Sequence, residues 1–222
     1  GHGSLAGMMP FRDANAIMLE MGEEILPLLK HNTPLLAGVC GTDPFRRMDR
    51  LLVQIKNMGF AGVQNFPTVG LIDGTFRKNL EETGISYQKE VDMISTAHRM
   101  GLLTTPYCFS GTDARMMAAA GADVVVAHMG LTTSGSVGAA TALSLDDCVT
   151  RCQEIVDAAK SVNPEVLVLT HGGPIATPED AQYIQSRVTG VHGFYGASSV
   201  ERLPVEVAIM EQMRKFKATK LC

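Results

Sequence analysis

The sequence predicts a parallel α/β barrel, a (β/α)8 TIM barrel represented by about six of its eight βα units. Three observations lead there. Short, almost wholly apolar runs such as Val166-Leu167-Val168-Leu169 and Val124-Val125-Val126-Ala127 alternate with longer amphipathic stretches. That is the pattern of strands covered on both faces by helices. The apolar runs end in small or glycine residues that open the next helix, and no G-x-G-x-x-G turn follows any of them, which argues against an open dinucleotide-binding sheet. A closed barrel takes eight strands and typically about 250 residues. This chain of 222 residues opens in a loop and a helix. The first two strands are therefore expected upstream of residue 1, and residues 1–222 read as one partial TIM-barrel domain.

Each element has its own local cause. Residues 1–12 are Gly-rich and loop-like, and Asp13 caps a helix running to about Leu29. Pro34 to Cys40 is a buried strand ending in Gly41-Thr42-Asp43-Pro44, where Thr42 or Asp43 caps a helix with Pro44 at its first position, running to about Met58. Gly59 stops that helix. Gly62 to Phe66 is a strand leading into a long insert, 67–74, and a short helix from Arg77 to Thr83. Further helices are expected at Tyr87–Met100, Asp113–Ala120, Asp146–Ser161 and Pro178–Val188, and a last one to about Phe216. Further strands are expected at Leu102–Tyr107, Asp123–His128, Glu165–Thr170 and Val191–Tyr195. A Gly-rich polar loop, 131–141, follows the strand at Asp123–His128.

Composition narrows the function classes. The 45% hydrophobic and 19% charged content supports a sizeable core rather than a disordered chain. A formal net charge of −4 and the lack of any basic stripe interleaved with aromatics argue against nucleic-acid binding. No apolar run approaches the roughly 18 residues that suggest a membrane span. Five cysteines, an odd number at spacings that fit neither a zinc ribbon nor a disulfide framework, suggest free thiols in a reducing compartment. A soluble, cytoplasmic protein is expected.

Polar residues gather where the strands end, and in a parallel barrel these ends ring one mouth. Asp43 follows the first strand, Asn65 ends the second, Tyr107 the third, His128 the fourth and His171 the fifth, while Ser198 and Ser199 follow the last. His128 and His171 close successive strands, and adjacent strands lie about 4.8 Å apart, so the two imidazoles are expected to approach each other. They are candidates for acid–base work, with Asp43 as a further acid. Gly172, Gly173 and Gly196 allow close backbone approach, and with Ser198 and Ser199 form a candidate anion site. Asn65 and Tyr107 are candidate ligand contacts. The insert after Asn65 resembles a lid whose Arg77 and Glu82 face the ligand. Helix capping, satisfied core histidines and solvated surface charges are the structural alternatives for these same residues.

Six motifs in order resemble one family. They are Gly38-Val39-Cys40-Gly41-Thr42-Asp43-Pro44-Phe45, the stretch from Gly62 to Gly74, Asn79-Leu80-Glu81-Glu82-Thr83-Gly84, the stretch from Ala127 to Thr133, His171-Gly172-Gly173-Pro174-Ile175-Ala176, and the stretch from Gly193 to Ser199. Together they resemble the phosphoenolpyruvate hydrolase-like TIM-barrel domain. That domain is found alone in bacteria and as the C-terminal part of two-domain plant proteins that resemble the tomato mosaic virus resistance protein. The resemblance implies a hydrolase or lyase acting on phosphoenolpyruvate or phosphonopyruvate, or else a non-catalytic binding or regulatory barrel. It implies a small anionic ligand, phosphorylated or a 2-oxo acid, with a divalent metal such as Mg as the cofactor to look for. A homo-oligomer and an N-terminal companion domain are expected as partners. The Lys-Lys-Cys-Gly-His loop and the clustered metal-binding carboxylates of the phosphoenolpyruvate mutase and isocitrate lyase superfamily are absent from this sequence.

Overall fold

The computed structural model describes residues 8–10, 12–30, 33–131, 133, 143–201 and 205–219. The strands are β1 (Leu36–Gly38), β2 (Gly62–Gln64), β3 (Leu103–Thr104), β4 (Tyr107–Cys108), β5 (Val124–His128), β6 (Leu167–His171) and β7 (Gly193–Phe194). The helices are α1 (Ala14–Ile25), α2 (Met48–Met58), α3 (Gly74–Glu82), α4 (Tyr87–Arg99), α5 (Gly111–Ala119), α6 (Leu145–Val162), α7 (Pro178–Gln185), α8 (Ser198–Glu201) and α9 (Val205–Lys217). Every pairing is parallel, and the order is β1-β2-β3 in one sheet and β4-β5-β6-β7 in the other. The chain is thus an arc of a parallel α/β barrel, with β1 and β7 as its outer strands.

Each expected strand is present, and the one at 102–107 is split. Thr105 N donates to Val63 O, whereas Pro106 O accepts from Val126 N. Pro106 has no N–H to continue the ladder. The chain therefore leaves β2 and joins β5 within two residues, and one sheet becomes two. Three helices also differ from expectation. Asp43 does not cap α2; its carboxylate accepts from Phe45 N in a tight turn, and α2 starts at Met48, beyond Pro44. α1 tightens at Pro27 into a 3-10 turn over Leu26–Leu28. The expected last helix is two, α8 and α9. The expected loop 131–141 falls almost wholly outside the described residues, as does most of 1–12.

Strand alternation sorts the core. On β5, Val125 and Ala127 join the large cluster between sheet and helices, while Val124 and Val126 join a smaller cluster with Tyr107, Phe66, Phe109, Leu169 and Tyr195. That second cluster fills the concave side of the arc. His128 shares the face of Val124 and Val126, and His171 that of Leu169, so period-two alternation aims both histidines inward. Tyr195 is half-buried on this side, and burial raises the pKa of its hydroxyl against an opposing effect of Thr105 and Gln64. No described helix is long and apolar enough to cross a membrane.

Close packing leaves no room at Gly62, where an added Cβ would stand 2.2 Å from Leu103 O in the adjoining strand. Gly62→Ala is therefore expected to lower stability by about 1–3 kcal/mol, the usual cost of overpacking. Urea unfolding followed by circular dichroism checks it.

Candidate functional site

The candidate site sits at the C-terminal ends of β4, β5 and β6. His128 and His171 are register partners on adjacent strands, and their ring centroids lie 4.6 Å apart in a T-shaped contact. Tyr107 stacks on His171 at 5.0 Å and meets His128 edge-on at 4.7 Å, while Phe109 tilts over His128 at 4.9 Å. The expected approach of the two imidazoles is thus present. Tyr107 is the buried floor beneath them.

Backbone contacts fix both tautomers. Gly130 N donates to His128 Nδ1 at 3.0 Å, so the neutral ring carries its proton on Nε2. His171 Nδ1 lies 2.6 Å from Tyr195 O, and a carbonyl only accepts, so Nδ1 is protonated and Nε2 keeps its lone pair. Burial lowers the pKa of both rings, for His128 with a smaller push from His171, and both are neutral near pH 7. Among the described residues, neither Nε2 has a hydrogen-bond partner.

A pocket of about 510 Å³ opens beside the pair. Its wall comprises Gly70, Leu71 and Asp73 from the loop after β2, Phe109 beyond β4, and His128, Gly130 and Gly173 from the ends of β5 and β6. Arg151, on the second turn of α6, completes it. Arg151 is exposed and makes no ion pair or hydrogen bond among the described residues. The loops after β5 and β6 are stitched together by Met129 N to His171 O at 2.8 Å and Gly173 N to Gly130 O at 2.7 Å. This close approach accounts for two of the glycines. Gly172 and Gly173 have φ of 76° and 60°, and a Cβ on them would stand 2.5 Å from Gly130 O and 2.4 Å from Met129 O.

The other wall hangs on Glu90. This fully buried carboxylate, on the inner face of α4, accepts from Asn65 Nδ2 at 2.6 Å, Thr68 Oγ1 at 2.7 Å and Val69 N at 2.8 Å. Burial raises its pKa to about 7, although the three donors and Arg77 favour the charged form. Asn65 Oδ1 in turn accepts from Tyr107 N at 2.7 Å. One carboxylate therefore ties the 66–73 loop to the floor of the histidine pair.

Several expected site residues lie elsewhere. Asn65 is fully buried below the pocket, with its amide spent on Glu90 and Tyr107, so it positions backbone rather than ligand. Asp43 pairs with Arg46 and Asn15 and lines a different depression with Lys89 and Asp92. Arg77 is turned onto Glu81, Val69 O and Ile72 O, where it staples the loop. Glu82 is exposed at the end of α3. Gly196, Ser198 and Ser199 lie beyond β7 and are not on this pocket's wall. Glu90 and Arg151 were missed. Glu90 had a signal, because it occupies an inward position among Tyr87, Val91, Ile94 and Ala97. Arg151 had none beyond following a Gly-rich loop. Among the described residues, no three His, Cys, Asp or Glu side chains gather to hold a metal ion. A divalent metal such as Mg therefore finds no fitting ligand set among the described residues.

The profile of the phosphoenolpyruvate hydrolase-like family matches residues 1–219. The chain belongs to that family. It is 63% identical over 221 residues to the ToMV susceptible protein tm-1(GCR26) of Solanum lycopersicum, and 62% identical to the ToMV resistance protein Tm-1(GCR237) of the same plant. In both, the whole of this chain aligns with 29% of the relative, so it spans less than a third of their length. The Sinorhizobium fredii (strain NBRC 101917 / NGR234) protein y4pA is 30% identical over 98% of the chain and 36% of its own length. Among solved structures, the FabK (M276A) mutant from Thermotoga maritima superimposes with a TM-score of 0.51 at 16% identity, over 81% of this chain and 49% of that one. At that identity the likeness concerns the fold alone. Family membership bears out the resemblance carried by the six motifs.

Glu90 makes the stability of this family member pH-dependent. Its pKa is about 7 folded against 4.5 as a free side chain, so the folded state holds the extra proton between those values. Stability due to Glu90 therefore falls by about 3 kcal/mol as pH rises from 4.5 to 7. The stability difference between wild type and Glu90→Gln is expected to shrink across that window. Urea midpoints at pH 4.5, 6 and 8 measure it; a constant difference contradicts the assignment.

Proposed function

We propose that this domain binds, and acts on, a small anionic ligand, either phosphorylated or a 2-oxo acid, in the pocket beside His128 and His171. The observation that carries the reading is a pocket whose wall holds both His128, fixed by backbone at Nδ1 with an Nε2 that no described residue engages, and Arg151, whose guanidinium no described residue ion-pairs or hydrogen-bonds, with the His171 ring packed against His128. A ring nitrogen that no described residue engages, on the wall of a cavity, suggests a ligand or water site. Arg151 supplies the charge for an anion. A hydrolase or lyase activity of the phosphoenolpyruvate type belongs to this proposal. So do a cytoplasmic location, supported by four free thiols among the described residues, and assembly into a homo-oligomer. The much longer tomato relatives favour a companion domain, and the outer edges of β1 and β7 favour further βα units closing the barrel.

A second reading is a non-catalytic binding or regulatory barrel. It is favoured by 62–63% identity to two tomato proteins named for susceptibility and resistance to ToMV. The two readings part on the ligand. Thermal unfolding with phosphate, phosphoenolpyruvate, phosphonopyruvate and pyruvate is expected to show stabilisation by at least one, about 2.7 kcal/mol at a hundredfold excess over Kd. Arg151→Gln is expected to abolish it. No shift with any of the four defeats the ligand-binding reading and leaves the regulatory one.

A further inference from the structure

Two apolar features stand open among the described residues, one at each end of the arc. The first is α9. Val205, Ile209, Met213 and Phe216 recur at helical spacing and form one stripe along it. Their relative exposures are 58%, 65%, 57% and 64%, and no residue of α9 is buried. A stripe of this kind ordinarily faces a core. The second is a groove of about 300 Å³ beside the outer strand β1. α1 supplies Ile17, Met21 and Ile25 to it, and Leu35, Phe60 and Phe66 are among the residues that complete it. Exposed apolar surfaces of this extent mark places where another protein surface docks. Charge says what suits the groove. Glu20 and Glu24 are exposed, one turn apart on α1, and their spacing from Ile17 and Met21 sets them on its border. Glu24 makes no ion pair among the described residues, and Glu20 meets only the exposed Arg12. The last turn of α1 holds no basic residue, so the negative end of that helix is uncompensated as well. The last turn of α9 has the opposite character. It carries Arg214, Lys215 and Lys217, none of them in an ion pair among the described residues.

We propose that α9 of one copy of this chain lies in the α1–β1 groove of a second copy, and that the exchange is reciprocal. The inference rests on the homo-oligomer proposed above, to which it gives a surface, and is independent of the anion pocket. Ile209, Met213 and Phe216 enter the groove against Ile17, Met21 and Ile25. Lys215 and Lys217, on either side of Phe216, meet Glu20 and Glu24 on its border. That pairing sets the two helices parallel, last turn beside last turn, and brings the lysines to the negative end of α1. The lengths agree, because α9 has 13 residues and α1 has 12, about 20 and 18 Å at 1.5 Å per residue. Position favours a second copy over the chain's own helix: α1 packs beside β1, α9 follows β7, and these are the outer strands of the arc. A two-fold axis makes the contact twice and closes the assembly at two copies, whereas the same contact made in one direction only would build an open filament.

The experiment measures the mass of the 222-residue chain by light scattering across the micromolar range, and a dimer is expected. The side chains of α9 that change are exposed, so the triple substitution Ile209→Gln, Met213→Gln and Phe216→Gln should leave the fold intact, which circular dichroism checks. It is expected to raise the dissociation constant by about 100-fold or more, since three apolar anchors leave the contact. Lys215→Glu with Lys217→Glu is expected to weaken the dimer about tenfold, and adding Glu20→Lys and Glu24→Lys to the same chain to restore it. A carbodiimide, which joins an amine to a carboxylate already in contact, is applied to a mixture of nitrogen-15-labelled and unlabelled chains. Mass spectrometry is expected to find Lys215 or Lys217 joined to Glu20 or Glu24 in pairs of one labelled and one unlabelled peptide. A monomer at every concentration overturns this surface and the homo-oligomer together. A dimer that survives the triple substitution, or a charge reversal that the second one does not rescue, overturns this surface and leaves the homo-oligomer standing. Cross-links found only between peptides of the same label overturn the second copy as the occupant. None of these outcomes touches the anion pocket, which the ligand-dependent unfolding decides separately.

Discussion

The site depends on one buried carboxylate more than on either histidine. Glu90 gathers a side-chain amide, a hydroxyl and a backbone N–H, all from the single stretch 65–69. Left unmade, each of those buried polar groups would cost about 1–3 kcal/mol. Gathered on one ion, they fix the start of the loop that lines the pocket and, through Asn65, the residue on which the imidazoles rest. The cost is a desolvated charge, visible in a pKa near neutrality. Buried polar clusters of this kind hold one arrangement firmly when every member is satisfied. All three donors here have their acceptor.

The histidines follow a different logic. Each spends one nitrogen on backbone, and His128 also lines the cavity. Gly130, after β5, fixes His128, and Tyr195, after β7, fixes His171, while glycines let the loops after β5 and β6 lie within hydrogen-bonding distance of each other. The glycines at 172 and 173 therefore act mainly by permitting loop–loop packing.

Much of the fold was legible because its strands are apolar on both faces and end in small residues. The histidine pair was legible for the same reason: Val124-Val125-Val126-Ala127-His128 and Leu167-Val168-Leu169-Thr170-His171 place equivalent residues on neighbouring strands. The break at Pro106 was not, since proline at a strand end reads the same whether the ladder stops or changes partner. Polar residues in loops misled most. Asn65, Asp43 and Arg77 all carry the chemistry of ligand contacts, yet each is consumed by a local hydrogen-bond debt of the backbone or of a neighbouring charge. Sequence records which groups are polar and leaves out which have already been satisfied. Arg151 shows the converse: no described residue ion-pairs or hydrogen-bonds its guanidinium, and sequence alone carries no sign of that.

The interruption at Thr105-Pro106 has a mechanical consequence. The 66–73 wall belongs to the sheet of β1, β2 and β3, while both imidazoles ride on the sheet of β4 to β7. The cavity straddles a seam. The relative placement of two sheets therefore sets its width, and the bond from Tyr107 N to Asn65 Oδ1 is a rivet across the joint.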